Sequence, residues 1–148
     1  MAVARLTVLV ALLGGCALAD DRRAEINFML HCQGCHLPEA AGFEGRVPPI
    51  KDFAGYFLHS QAGRDFLIRV PGVSRSALSD SEIAELMNWL LQTYSESQLP
   101  DRFEPFTEAE VASLRVDPEP DPAAARELIL NNLADELPLL AAELTKNN

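Results

Sequence analysis

The sequence contains few of the residues that build metal sites or span membranes. Its 148 residues include three cysteines and three histidines, and no cysteine follows Cys35. A zinc site needs a second pair of ligands, which the chain does not offer. The N-terminal apolar run, residues 6–13, is too short to cross a bilayer as a helix. Internal repeats, strand-like alternation and a nucleophile–base arrangement are also missing, which argues against repeat folds, β folds and acid–base enzyme chemistry.

Positive charge is scarce as well. The chain has 12 lysines and arginines against 22 aspartates and glutamates, which gives a formal net charge of −10. Residues 1–19 carry one charge, that of Arg5, so their removal changes −10 to −11. Nucleic-acid phosphates would repel such a chain, and no nucleic-acid partner is expected. The acidic balance permits docking on a basic patch of a partner protein, although it also serves solubility alone.

The N-terminus has the features of an export signal. Arg5 precedes the apolar run, and Ala17-Leu18-Ala19 forms an A-x-A cleavage site. We therefore predict a signal peptide over residues 1–19 and a periplasmic mature protein. As an alternative, Leu13-Gly14-Gly15-Cys16 resembles a bacterial lipobox, which would make Cys16 a lipid anchor on the periplasmic side. If cleavage follows Ala19, only Cys32 and Cys35 remain.

The most specific motif is Cys32-Gln33-Gly34-Cys35-His36, a C-x-x-C-H run. This run is the attachment sequence for a c-type haem. Thiols three residues apart on a helical turn point the same way and can add across the two vinyl groups of one porphyrin. His36 can then offer a ring nitrogen to iron as the proximal ligand. A redox dithiol is disfavoured because no βαβ pattern surrounds the motif. The motif predicts one covalent haem c, with iron.

Periodicity and capping signals predict helices throughout the chain. Ile26, Met29 and Leu30 recur at helical spacing, and we expect them to pack on a later helix that starts at the capping box of Ser79 and Glu82. A loop is expected between them, over residues 37–49. The predicted helices are residues 22–35, 52–58, 64–70, 80–94, 107–115, 123–133 and 138–144. Thr107 and Glu110 are expected to form a second capping box. Gly63 is expected to break a helix, and residues 117–122 are expected to form a stiff acidic linker.

Residues 32–36 together with residues 79–90 resemble class I, monohaem c-type cytochromes of bacteria. The resemblance covers residues 20–94. It implies an all-α fold, with a cytochrome c-like helical domain around one covalently bound haem and with its first and last helices crossing beside the haem. We divide the chain into a signal peptide (1–19), a cytochrome c domain (20–95) and a helical C-terminal extension (96–148).

The resemblance leaves the distal iron ligand undetermined. The family usually supplies a methionine from the loop before the last helix, but residues 70–78 contain none. Met29 and His31 lie on the helix of the proximal ligand, and one straight helix cannot reach both faces of the ring. Met29 is therefore expected in the core, and His31 on the surface or against a propionate. Three alternatives remain for the sixth position: His59, Met87, or an open or weakly bound site.

We expect the haem iron to carry out the function of this protein. We predict an exported carrier of single electrons between redox protein partners, such as a dehydrogenase donor and an oxidase or cytochrome acceptor, and not an enzyme. The alternatives are a haem subunit of a larger dehydrogenase or oxidase, docked through residues 96–148, and a ligand-binding or peroxide-reactive protein if the sixth site is open. Arg64 is the preferred partner of the haem propionates, ahead of Arg46, Lys51 and Arg69. Phe28 and Trp89 are expected to join the terminal helices.

Overall fold

The computed structural model describes residues 14–146, with side chains over residues 21–145. The predicted apolar run and the side chain of Cys16 lie outside these ranges. Within them the fold is all-α, as predicted, with one isolated bridge between Phe43 and Val47. The helices are α1 (Gly14–His31), α2 (Gln33–His36), α3 (Gln61–Arg69), α4 (Pro71–Ser74), α5 (Asp80–Tyr94), α6 (Glu108–Leu114), α7 (Pro122–Ala134) and α8 (Pro138–Lys146), with 3₁₀ helices at Ala54–His59 and Glu96–Gln98.

The first helix begins earlier than predicted. It starts at Gly14 instead of near residue 22, so the predicted cleavage site after Ala19 falls inside its span. Alanine and leucine in that stretch favour helix, which explains the extension. No helix in the described part of the chain has the length and apolarity that a membrane span requires.

Helices α1 and α5 pack against each other through aromatic side chains. The ring of Phe28 lies 6.0 Å from that of Trp89 and 5.7 Å from that of Tyr94, centroid to centroid. This confirms that Phe28 and Trp89 join the two helices. The apolar stripe predicted for α1 is wrong, however. Over residues 21–31, where the structure describes the side chains of α1, the buried positions are Ala24, Asn27 and Phe28, because the large aromatic ring sets which face of the helix turns inward. The predicted stripe is exposed: Ile26, Met29 and Leu30.

Helix α5 has the bounds and the cap that the sequence predicts. Ser79 Oγ accepts a hydrogen bond from the Glu82 amide, and the Glu82 carboxylate accepts one from the Ser79 amide at 2.8 Å. Both donors would otherwise be unsatisfied at the helix start. The helix buries six side chains, namely Ile83, Ala84, Leu86, Met87, Leu90 and Leu91.

Gly63 lies inside helix α3 and does not break it, contrary to prediction. Ser60 caps this helix through a 3.0 Å bond from the Gly63 amide. A Cβ at Gly63 would stand 2.1 Å from the Phe57 carbonyl oxygen. Glycine is therefore present because the preceding 3₁₀ helix approaches the backbone of α3 too closely for a side chain.

The C-terminal extension packs on the rest of the protein. Asn88 on α5 exchanges two hydrogen bonds with the backbone of Phe106, at 2.9 and 2.7 Å. One hydrophobic core runs through both parts of the chain; from beyond residue 95 it contains Phe106, Val111, Leu130, Leu133 and Leu140. The predicted linker is also held, since the Glu119 amide donates to the Arg69 carbonyl at 2.8 Å.

Candidate functional site

The C-x-x-C-H motif forms a short turn at the end of α1. Cys32 interrupts the helix, and its carbonyl oxygen accepts hydrogen bonds from the amides of Cys35 and His36 at 3.1 and 3.0 Å. The two thiols therefore belong to one turn, Cys32 half-buried against the core and Cys35 exposed. Burial, and secondly the neighbouring Cys35, raise the pKa of the Cys32 thiol. A raised pKa keeps it protonated, whereas a reactive redox dithiol needs a thiolate.

Other metal-ligand groups do not assemble in the described residues. No cluster of three or more histidine, cysteine or acidic side chains is found there. A closed zinc site would need such a set of ligands.

His36 has the properties of an iron ligand. Its ring is half-buried, and within the described residues its Nδ1 is buried with no hydrogen-bond partner. Burial lowers the pKa of His36, and the nearby Pro48 carbonyl opposes this in part. A lowered pKa keeps the imidazole neutral, the form that binds iron. The thiol pair and this imidazole together fit a covalently attached haem.

The loop after the motif is fastened to α5. Tyr94 Oη donates to the Pro38 carbonyl at 3.0 Å, and the Asp52 amide donates to the Tyr94 carbonyl at 2.7 Å. Leu37, Ala40 and Asp52 adopt positive φ angles of 64°, 56° and 54°. Non-glycine residues rarely adopt such angles, and three of them in one loop indicate that the surrounding contacts dictate its path.

His59, the first distal candidate, is exposed and turned toward the extension. Its Nε2 lies 3.0 Å from the Gln98 carbonyl oxygen, which can only accept, so Nε2 carries the proton. The side chain lines two cavities of about 240 and 170 Å³ between the 3₁₀ helix Ala54–His59 and the extension. Neither cavity is lined by a residue of the C-x-x-C-H motif.

Met87, the second candidate, is part of the core. It is 8% exposed and lies on the buried side of α5 with Ile83 and Leu90. Met29 is not in the core as predicted: it is 56% exposed, because it lies on the outer side of α1. His31 is exposed, in agreement with a surface position.

The loop before α5, which lacks a methionine, is held by an arginine of the extension. Arg115 donates to the carbonyl oxygens of Ser74, Ser76 and Leu78 at 3.2, 2.6 and 2.9 Å, and pairs with Asp80 at 2.8 Å. One guanidinium thus satisfies three loop carbonyls and fixes the loop against the start of α5. The sequence analysis missed Arg115 because nothing local marks an arginine whose partners are some forty residues away.

Arg64 has other partners than the predicted propionates. Its Nε and Nη2 bind the Glu110 carboxylate at 2.6 and 2.8 Å, and its Nη1 binds the Glu104 carbonyl at 2.7 Å. The guanidinium also lies 4.1 Å from the centroid of the Phe106 ring. Most of its hydrogen-bonding capacity is therefore used by the extension. The Glu110 carboxylate raises the pKa of Arg64.

Of the other side chains predicted to bind the propionates, one forms an ion pair within the protein and two are exposed. Arg69 pairs with Asp117 at 2.8 Å, whereas Arg46 and Lys51 are exposed in the loop after the motif. A different arginine, Arg126 on α7, is half-buried beside Phe53. It lies near the start of an alanine-rich helix, where the sequence gives no sign of burial.

Two curated proteins are similar to this chain over most of its length. A cytochrome c-552 of Thermus thermophilus is 33% identical over 122 residues, which cover 70% of this chain and 81% of that protein. A second cytochrome c-552 of the same species is 30% identical over 102 residues, covering 57% and 78%. No model of a protein family matches the chain. Both alignments are long enough to extend beyond the C-x-x-C-H motif.

Proposed function

Because this chain belongs to the monohaem c-type cytochromes, we propose that it is an exported carrier of single electrons between redox protein partners in the periplasm. A c-type cytochrome serves electron transfer and carries covalently attached haem c. The observation that carries the proposal is the single turn that joins two thiols to a half-buried imidazole. Bound haem supplies an iron that gains or loses one electron.

Each residue of the motif has a defined task in this proposal. Cys32 and Cys35 would hold the porphyrin through thioether bonds, each formed by adding one S–H across one vinyl group. His36 would ligate the iron, and its neutral form needs no proton loss to do so. The hydrogen bonds of Tyr94 to the following loop keep the chain closed around this side of the site.

Attachment is tested on the protein produced with a haem-attachment system. The pyridine haemochrome spectrum should show two thioether bonds in the native protein. The Cys35→Ser variant should show the spectrum of a single thioether, while Ser113→Ala, a change at an exposed serine on α6, should leave it unchanged. Haem lost on acid–acetone extraction of the native protein would contradict the proposal.

The N-terminal sequence supports export, and it contains two alternative sites at which the precursor could be processed. Cleavage after Ala19 would release the protein into the periplasm, whereas processing before Cys16 would leave it lipid-anchored on the periplasmic side. The intact mass of the mature protein distinguishes them, because lipidation adds acyl chains to a thiol that the first route removes. A mature protein that begins at Met1 would contradict both.

For the sixth position we propose that the iron has no strong protein ligand. Residues 70–79 contain no methionine, histidine, lysine or cysteine, His59 donates its Nε2 proton to the Gln98 carbonyl, and Met87 is packed in the core. This supports a second candidate function, the binding of a small ligand such as carbon monoxide, nitric oxide or peroxide.

Ferric absorption and EPR spectra test the sixth position. A high-spin spectrum that is unchanged in His59→Ala and Met87→Leu is expected, together with carbon monoxide binding by the untreated ferrous protein. A low-spin spectrum lost in His59→Ala would establish histidine ligation. A near-infrared sulfur-to-iron band lost in Met87→Leu would establish methionine ligation, which raises the reduction potential.

A further inference from the structure

Arg126 on α7 lacks the anionic partner that its burial calls for. Its guanidinium carbon lies 4.9 Å from the centroid of the Phe53 ring, and burial lowers its pKa. Within the described residues it makes no ion pair and no hydrogen bond, whereas Arg64, Arg69 and Arg115 each bind a carboxylate. A guanidinium taken out of water without a partner is costly, so a group from outside these residues is expected beside it.

The position of Phe53 connects Arg126 to the haem motif. The His36 carbonyl accepts from the Gly42 amide at 3.0 Å, and the Ala40 carbonyl accepts from the Ile50 amide at 2.9 Å. The Phe53 amide in turn donates to the Ile50 carbonyl at 3.2 Å. Ile50 and Cys32 pack against the same core cluster as Phe53. Backbone hydrogen bonds therefore fasten the segment that carries Phe53 to the loop that follows His36.

We propose that Arg126 binds a propionate carboxylate of the attached haem. Each haem carries two propionates, and a guanidinium binds a carboxylate through two parallel N–H···O bonds. The carboxylate would supply the missing partner, and the guanidinium would supply the charge that a half-buried propionate requires. The extension then contributes a residue to the cofactor site. The inference rests on the haem attachment proposed above.

Loss of Arg126 has a predictable effect on the iron. A positive charge near the haem disfavours the ferric state, which carries one more positive charge than the ferrous state. The Arg126→Gln variant should therefore have a lower reduction potential than the native protein. Arg126→Lys keeps the charge but not the forked geometry, so its potential should lie between the two.

Resonance Raman spectroscopy of the haem-loaded, full-length protein tests the contact directly, because the propionate bending bands respond to hydrogen bonding of the carboxylates. These bands should shift in Arg126→Gln, shift less in Arg126→Lys, and stay unchanged in Arg102→Gln, which alters an exposed arginine of the same extension. The haemochrome spectrum is recorded first for each variant. Absent haem in the native protein contradicts the proposed function, whereas normal haem with unshifted bands in Arg126→Gln overturns this inference alone.

A crystal structure of the native haem-loaded protein tests the contact between Arg126 and the propionate even if the Arg126→Gln variant does not fold. A propionate oxygen within hydrogen-bonding distance of the guanidinium is the expected result. A solvent anion, or a carboxylate from residues before 21 or after 145, in that place would overturn the inference.

Discussion

At the scale of single residues, the pair of Arg64 and Glu110 shows that a distant ion pair can replace a hydrogen bond that the local sequence predicts. Glu110 occupies the position that would complete a capping box with Thr107, and its amide does donate to Thr107 Oγ1 at 3.2 Å. Its carboxylate, however, forms two bonds to Arg64 instead of returning to the cap. A charge-assisted, forked pair is stronger than a single bond to an exposed amide, so only half of the predicted capping box forms.

We predict that Glu110→Gln destabilises the protein by about 2 kcal/mol, because it removes a charged acceptor from a guanidinium that is 15% exposed. The matched control is Asp117→Asn. It alters the partner of Arg69, but Asp117 is 79% exposed, and a solvated pair contributes less than about 1 kcal/mol. Urea unfolding of both haem-loaded variants measures the difference. Equal losses of stability would contradict the importance of burial.

At the scale of elements, α5 is the helix on which the others assemble. Its start is fixed by Ser79 and Glu82, its middle by Asn88 bound to Phe106, and its end by Tyr94 bound to the loop after the haem motif. The contacts of Asn88 and Tyr94 join α5 to the extension and to the loop after the motif. A change that frays α5 should therefore disturb both the haem site and the extension.

The cap of α5 gives a pH-dependent prediction. Ser79→Ala should cost about 1 kcal/mol near neutral pH, since it removes a cap acceptor. Hydrogen bonds from Ser79 lower the pKa of Glu82 below 4.5, so their stabilising effect is present above pH 4.5 and is lost as the pH falls through the lowered pKa. The difference in unfolding free energy between native protein and variant should thus shrink in acid.

The control for the cap is Ser113→Ala, since Ser113 lies within α6, is exposed, and donates only to the Glu110 carbonyl of its own helix. Its effect should stay below about 0.5 kcal/mol at every pH. Chemical unfolding at several pH values measures both variants. A cost for Ser79→Ala that is independent of pH would show that Glu82 has no part in the cap.

At the scale of the whole molecule, the extension is part of the folded unit. Five of its apolar side chains complete the core, and Arg115 fixes the loop before α5. Its outer face keeps exposed leucines, Leu128 and Leu139, but its inner face is already occupied. The extension is thus better suited to closing the cytochrome than to serving as a free docking arm.

We predict that a chain ending at residue 95 does not unfold cooperatively, because it exposes the core faces of α3 and α5 and leaves the backbone partners of Arg115 unsatisfied. Circular dichroism on heating, compared with a chain ending at residue 146, measures this. A cooperative transition at the temperature of the full-length protein would show that residues 20–95 fold independently.

The sequence by itself determined the cofactor class and the helical elements. The C-x-x-C-H spacing specifies haem attachment through local chemistry alone, and caps such as Ser79 with Glu82 define a helix start within four residues. The ends of the helices were least predictable where another element packs closely against them. Gly63 was expected to break a helix, but it is a glycine because the Phe57 carbonyl leaves no room for a side chain. Periodicity misplaced the buried face of α1, because exposed apolar residues also recur at helical spacing.

Only the tertiary structure decided which charged side chains meet. Arg64 with Glu110 and Arg115 with the loop before α5 join residues 35 to 46 positions apart, and Arg126 lies over Phe53 from a helix beyond residue 120. A local pattern cannot reveal such partners, because the energy of an ion pair depends on distance and burial, which the packing of whole helices sets. For this reason the motif at Cys32 could be recognised from the sequence, whereas the residues around it had to be located in the fold.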